Sequence, residues 1–216
     1  MSKKYWEWKP SFEIKAEECA FLIVDMQKGF VDKGECLEVP MARAQLKEIS
    51  ELKQYCNQHK IPVYLSVFAQ GPDYSYDFYW KKNKERGLMD DKGNYKFKVG
   101  SPECEITSKL APCLSDTVFT KYGYDCFAYT DLENCLKKQN IKTLIICGTV
   151  VNWCVDSTIR SAYHKDYNVV VMADGVSAYD HAGATAQQWV DMELDLFGEG
   201  FARVLKEKEI IEELNK

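Results

Sequence analysis

The segment Leu144-Ile145-Ile146-Cys147-Gly148-Thr149-Val150-Val151-Asn152-Trp153-Cys154-Val155-Asp156 constrains the fold of this chain more than any other. Its unbroken apolar start is the signature of a strand buried on both faces, as in a parallel sheet. The run stops at Gly148 and passes through small or polar residues. The recurrence of Val155, Ile159 and Ala162 at helical spacing then predicts a helix beginning at or just before Cys154. A cysteine is thereby placed at a strand-to-helix turn, where backbone N–H groups and the helix dipole stabilise an anion. A thiol in that position is expected to ionise below the ordinary value of about 8.5 and to act as a nucleophile. The alternative is a buried cysteine that only packs. The position favours chemistry, because open α/β sheets bind ligands at the C-terminal ends of their strands.

Two further strand ends carry ionisable residues. Ala20-Phe21-Leu22-Ile23-Val24 ends at Asp25, and Thr117-Val118-Phe119-Thr120 ends at Lys121. Taken singly, Asp25 can cap a turn or helix and Lys121 can be a solvated loop residue. If the three strands are parallel neighbours, however, an acid, an amine and a thiol meet at one sheet edge, a set suited to nucleophilic chemistry.

The rest of the chain alternates strands with helices. Residues 40–59 carry a helical stripe of Leu46, Ile49, Leu52 and Cys56, with Pro40 suited to a first turn. Residues 62–68, 168–172 and 201–205 read as strands; 131–139, 182–196 and 207–214 read as helices. This alternation predicts one domain over 1–216, with a core at about 18–205. Its fold class is α/β, a three-layer α/β/α arrangement on a six-stranded parallel sheet. Residues 69–115 form a long Gly-, Pro-, Lys- and Tyr-rich stretch, expected to be a lid or pocket wall.

The order and surroundings of the three residues resemble the isochorismatase-like cysteine hydrolase superfamily. The matching motifs are Asp25-Met26-Gln27 leading to Phe30, Lys121 leading to Cys126-Phe127, and Gly148-x-x-x-Asn152-x-Cys154-Val155. The resemblance implies an isochorismatase-like topology and a metal-independent hydrolase with no cofactor. Asp25 would be the general base, Lys121 would hold that carboxylate ionised and lower the thiol pKa, and Cys154 would attack a carbonyl. The backbone N–H groups of Val150 and Cys154 would form an oxyanion hole, and a cis peptide would join Thr149 to Val150. Isochorismatases that cleave a vinyl ether use no cysteine nucleophile, so Cys154 points to the amidase side. Residues 72–75 and 80–88 look most like the ureidoacrylate, biuret and N-carbamoyl amidohydrolases. The implied partner is therefore a small amide or ureido substrate, and the implied assembly a homodimer or homotetramer.

Several residues are candidates for substrate binding: Phe30, Tyr74, Trp80, Asn152 and Trp153. The aromatic cluster holding Tyr74 and Trp80 walls a flat pocket or else covers a sheet edge or a dimer interface. Asn152 either bonds the substrate or caps the helix, and Trp153 lines the pocket or a subunit contact. Arg86, Lys81 and Lys84 either bind a carboxylate or form a solvated face. His181 either reaches the pocket or, as the expected reading, sits at a helix cap or the core edge.

Other classes fit poorly. No histidine lies between His59 and His164, which leaves Asp73 and Asp77 without imidazole partners for a transition metal. The net charge of −5 is spread along the chain and offers no basic patch for nucleic acid. The nine cysteines are odd in number and irregularly spaced, which predicts reduced thiols and a cytoplasmic protein. No secretory signal and no apolar run of about 20 residues is visible, so no membrane partner is expected. A thiol-based redox sensor and a non-catalytic partner-binding protein remain as alternatives.

Overall fold

The computed structural model describes residues 3–70, 82 and 85–216. Tyr74, Trp80, Lys81, Lys84 and the Asp73/Asp77 pair fall outside them. Six strands form one parallel sheet: β1 (Cys19–Val24), β2 (Val63–Phe68), β3 (Thr117–Lys121), β4 (Thr143–Thr149), β5 (Asn168–Ser177) and β6 (Arg203–Leu205), in the order β3-β2-β1-β4-β5-β6. Every residue of β1, β2 and β4 is buried, which explains their continuous apolar character. Strand β3 lies on the edge and is largely exposed except at Lys121.

The helices are α1 (Lys28–Val31), α2 (Pro40–Ala44), α3 (Leu46–Gln58), α4 (Leu132–Lys138), α5 (Asp156–His164), α6 (Ala186–Gly200) and α7 (Glu207–Leu214). Helix α3 buries Ile49, Leu52 and Cys56, the predicted stripe. The single helix expected over 40–59 is divided at Gln45, whose backbone turns to φ −97°, ψ −6° and whose amide donates to the Val176 carbonyl. Strand β5 runs five residues beyond its predicted end, through a register shift opposite Ile146 and Gly148. The small and polar Ala173-Asp174-Gly175 masks this continuation in the sequence. Helix α6 starts later than predicted because Thr185 caps it: its hydroxyl accepts the Gln188 N–H at 3.2 Å, and the Gln188 side chain accepts the Thr185 N–H at 2.9 Å.

The described part of 69–115 is docked rather than free-standing. Phe97 is fully buried, with its ring 4.8 Å from that of Phe30. The chain runs outward from β1 through β2 to β3, then returns to β4 beside β1. The strand order therefore reverses between β1 and β4, and a ligand crevice belongs outside their C-terminal ends. No helix among the described residues is long and apolar enough to cross a membrane.

Candidate active site

Asp25 directly follows β1, and its backbone is left-handed at φ +51°. Only a few non-glycine residues adopt that region, Asp and Asn most readily. The turn carries the carboxylate back over the sheet. Its Oδ1 accepts the Ser66 hydroxyl at 2.6 Å, and the Asp25 N–H donates to the same hydroxyl oxygen at 3.1 Å. Two residues on, Gln27 is fixed in the same way: its amide accepts the Phe68 N–H at 2.7 Å and donates to the Phe68 carbonyl at 2.9 Å. The end of β2 thus anchors the segment that carries the acid.

Lys121 does not belong to a strand neighbouring β1. Strand β2 lies between them, and the lysine reaches past it with its ammonium 5.1 Å from the Phe68 ring centroid. Nζ pairs with Asp25 Oδ2 at 2.8 Å and donates to the Gly123 carbonyl at 2.8 Å. Both side chains are fully buried. Burial works against the lysine's charge, but Asp25 and the two nearby thiols outweigh it and raise its pKa above the ordinary value.

Cys154 lies in a π-turn over Val151–Val155 that leads into α5. The helix therefore begins ahead of the thiol, which occupies the first turn. The Val150 carbonyl accepts the Trp153 N–H at 3.0 Å and the Val155 N–H at 3.2 Å. The Thr149–Val150 peptide is cis. The expectation of a depressed thiol pKa is reversed. Burial pushes the Cys154 thiol well above 9.0; Lys121 pulls it down, but the Asp25 charge and a hydrogen bond to that carboxylate push it up again. Cys126 is fully buried nearby, and burial, opposed by Lys121, lifts its thiol to about 11.

The thiol opens into a cavity of about 400 Å³. Thr149, Val150 and Cys154 border it, with aromatic walls from Phe30, Phe68, Tyr124, Trp153 and Tyr179 and with Arg86 also on its lining. Burial raises the Tyr179 hydroxyl pKa and the charge of Arg86 opposes that. Asn152 does not cap the helix. No side chain caps α5, and the Asn152 amide lies against His181 at 3.1 Å. Sequence reasoning assigned nothing to Ser66, Phe68 or Tyr179. Ser66 carried a usable signal, as the one aliphatic hydroxyl inside an otherwise apolar and aromatic strand. Among the described residues, no group of three His, Cys, Asp or Glu side chains is placed to hold a metal ion.

The isochorismatase domain matches residues 19–208. The chain belongs to the isochorismatase family. The chain is 29% identical over 172 residues to enterobactin synthase component B of Escherichia coli K12, covering 79% of this chain and 56% of that protein. It therefore spans little more than half of that relative. It is 26% identical over 176 residues to the ureidoacrylate amidohydrolase RutB of Azorhizobium caulinodans, covering 74% and 77% of the two chains. The solved cysteine hydrolase from Pseudomonas syringae pv. phaseolicola 1448A superposes with a TM-score of 0.85 at 25% identity, over 96% of this chain and 98% of that one.

Proposed function

We propose that the chain is a cysteine-nucleophile amidohydrolase that cleaves a C–N bond of a small amide or N-carbamoyl compound. The observation that carries this reading is the buried Asp25–Lys121 pair, 2.8 Å apart, with the buried Cys154 thiol within the electrostatic reach of both and bordering a small cavity. An isolated buried carboxylate is strongly disfavoured. Lys121 keeps a negative charge tolerable there without transferring a proton itself.

The chemistry follows from that pairing. As Cys154 Sγ bonds the substrate carbonyl carbon, Asp25 accepts the thiol proton. The carbonyl π electrons move onto oxygen, where the backbone N–H groups of Val150 and Cys154 stabilise them. The C–N bond breaks, Asp25 returns the proton to the departing nitrogen, and a thioester or thiocarbamate remains on Cys154. Water then attacks that carbon, giving its proton to Asp25. The C–S bond breaks, and the proton returns to sulfur. A high resting thiol pKa suits this scheme, since the nucleophile forms only when a carbonyl is in place to receive it.

The likeness to a ureidoacrylate amidohydrolase supports a ureido substrate, and the aromatic walls suit a flat one. The same reading carries the expectation of a homodimer or homotetramer, which sedimentation velocity decides. The test is ammonia release from a panel of small amides and ureido compounds, run with a chelator control. Release that resists the chelator and is lost in Cys154→Ala and in Asp25→Asn is the expected result. Substantial turnover in both purified variants would refute the assignment. Release from nicotinamide that a chelator blocks would point instead to a metal enzyme.

A further inference from the structure

Among the described residues, two charged side chains line the cavity that borders Cys154: Glu38 and Arg86. The chemistry above uses neither. Glu38 is matched from within the protein. Its Oε1 pairs with Arg43 at 2.6 Å, and its Oε2 accepts the Gly34 N–H at 2.7 Å. Asp25, beside the thiol, is matched in the same way by Lys121. The negative charges around the cavity are therefore answered by the protein itself, which leaves little to attract a cationic ligand.

Arg86 is the one cation on that lining among the described residues. A turn delivers it there. Its N–H donates to the Lys82 carbonyl at 3.0 Å, and Gly87 follows in the left-handed region at φ +69°, which glycine adopts without steric cost. Leu88 is then buried, and its carbonyl accepts the Lys96 N–H at 2.8 Å. The chain is thus anchored just past the turn, while Arg86 stays partly exposed on the cavity. Its charge is felt at the Tyr179 hydroxyl, so a guanidinium and a phenol share one wall. The other aromatic walls, Phe30, Phe68, Tyr124 and Trp153, add contact area without charge. A guanidinium has five N–H donors in a rigid fork and no acceptor, so it can hold a protein group and a ligand carboxylate together.

We infer that Arg86 is a specificity residue: it binds a carboxylate at the far end of a substrate whose ureido or amide carbonyl lies at Cys154. The inference rests on the amidohydrolase reading and narrows it to small ureido or amido carboxylic acids. The cavity of about 400 Å³ is of a size for such a ligand. The Tyr179 hydroxyl is a second donor on the same wall. A neutral ester of the same acid keeps the scissile bond but loses the charge-assisted pair. A ureido amine of equal length meets a like charge instead.

The test compares ureidoacetate, 3-ureidopropionate and 4-ureidobutyrate with their methyl esters and with ureido amines of matching length, scored by ammonia release. The wild type should favour at least one acid over its ester by about 10- to 100-fold in kcat/KM, chiefly through KM. Arg86→Gln should bring that ratio close to one. Arg86→Lys, which keeps the charge without the fork, should retain part of it. Calorimetry on Cys154→Ala adds a readout without turnover: the preferred acid should bind, and adding Arg86→Gln should weaken it by a similar factor. Ammonia release from the esters that Cys154→Ala abolishes upholds the hydrolytic reading whatever the acids do. Given that release, equal kcat/KM on acid and ester, a preference for the amines, or an acid preference that survives Arg86→Gln each overturns the inference alone. No wild-type turnover of any compound would overturn both.

Discussion

At the scale of single residues, the site shows how one buried carboxylate holds two other groups in check. Asp25 helps to hold Lys121 charged and adds to the burial that raises the Cys154 thiol pKa, and these effects have opposite consequences for reactivity. The free protein should therefore hold little thiolate at Cys154. Alkylation of Cys154 by iodoacetamide should be slow at pH 7 and climb with pH without reaching a plateau below about 9, because the thiolate is the reacting species. Mass-spectrometric rates for Cys154 across pH 6–10 test this; a plateau already reached near pH 7 would show a thiolate at rest and overturn the assignment. Asp25, Lys121 and Cys154 were legible in the sequence because each ends or follows an apolar strand. The sign of the thiol's shift was not, since helix dipole and lysine are visible in sequence while depth of burial is not. Ser66 shows the converse: its hydroxyl stands out within Val63-Tyr64-Leu65-Ser66-Val67-Phe68, yet nothing local shows that it faces Asp25.

At the scale of elements, strand positions were readable and helix details less so. Buried strands announce themselves by composition, and α7 fell on its predicted span. At the break, Gln45 meets a carbonyl 131 positions away, a partner beyond the reach of periodicity. Two elements carry their own predictions. On β4, a Cβ at Gly148 would lie 2.1 Å from the Val24 carbonyl oxygen, and its φ of +119° already disfavours any L side chain. Gly148→Ala should lose at least about 3 kcal/mol in urea titration or fail to fold; wild-type stability would show that β1 and β4 separate freely. On α6, Glu193 faces Asp156 and Arg160 of α5. Burial first and then Asp156 raise its carboxyl to about 7, with Arg160 opposing. The unfolded carboxyl releases its proton near the ordinary 4.5 and the native one near 7. The native state thus binds more protons in that window, and stability falls as pH rises through it. Glu193→Gln should flatten this slope and be more stable than wild type above pH 7, by about 1–2 kcal/mol. Parallel pH profiles for the two proteins would count against it.

At the scale of the whole molecule, the reversal of strand order between β1 and β4 gathers side chains from distant parts of the chain over the centre of the sheet. The fold class was legible because strand–helix alternation leaves few topologies. The strand order was not, and the assumption of three adjacent strands fails at β2. Burying an ion pair there has a cost in stability. Lys121→Met should destabilise the protein by about 3–5 kcal/mol, because it leaves Asp25 charged and alone in the interior. Adding Asp25→Asn should restore most of that, as asparagine tolerates the left-handed backbone and carries no charge. Chemical denaturation of the single and double variants decides this; a double variant as unstable as Lys121→Met would mean that lost packing, not the stranded charge, dominates.

The contact at Gly148 also bears on how the proposed catalyst can change. Val24 and Gly148 are register partners, and the residues that follow them lead to the acid and to the thiol. With no room for even one methyl between those backbones, the spacing of the segments that carry Asp25 and Cys154 is machined into the main chain. Phe30, Tyr124, Trp153 and Tyr179, by contrast, all lie beyond the strands. Selection for a new substrate can therefore rework the walls at will while the gap between acid and sulfur stays constant, like a gauge block around which the fixture is rebuilt.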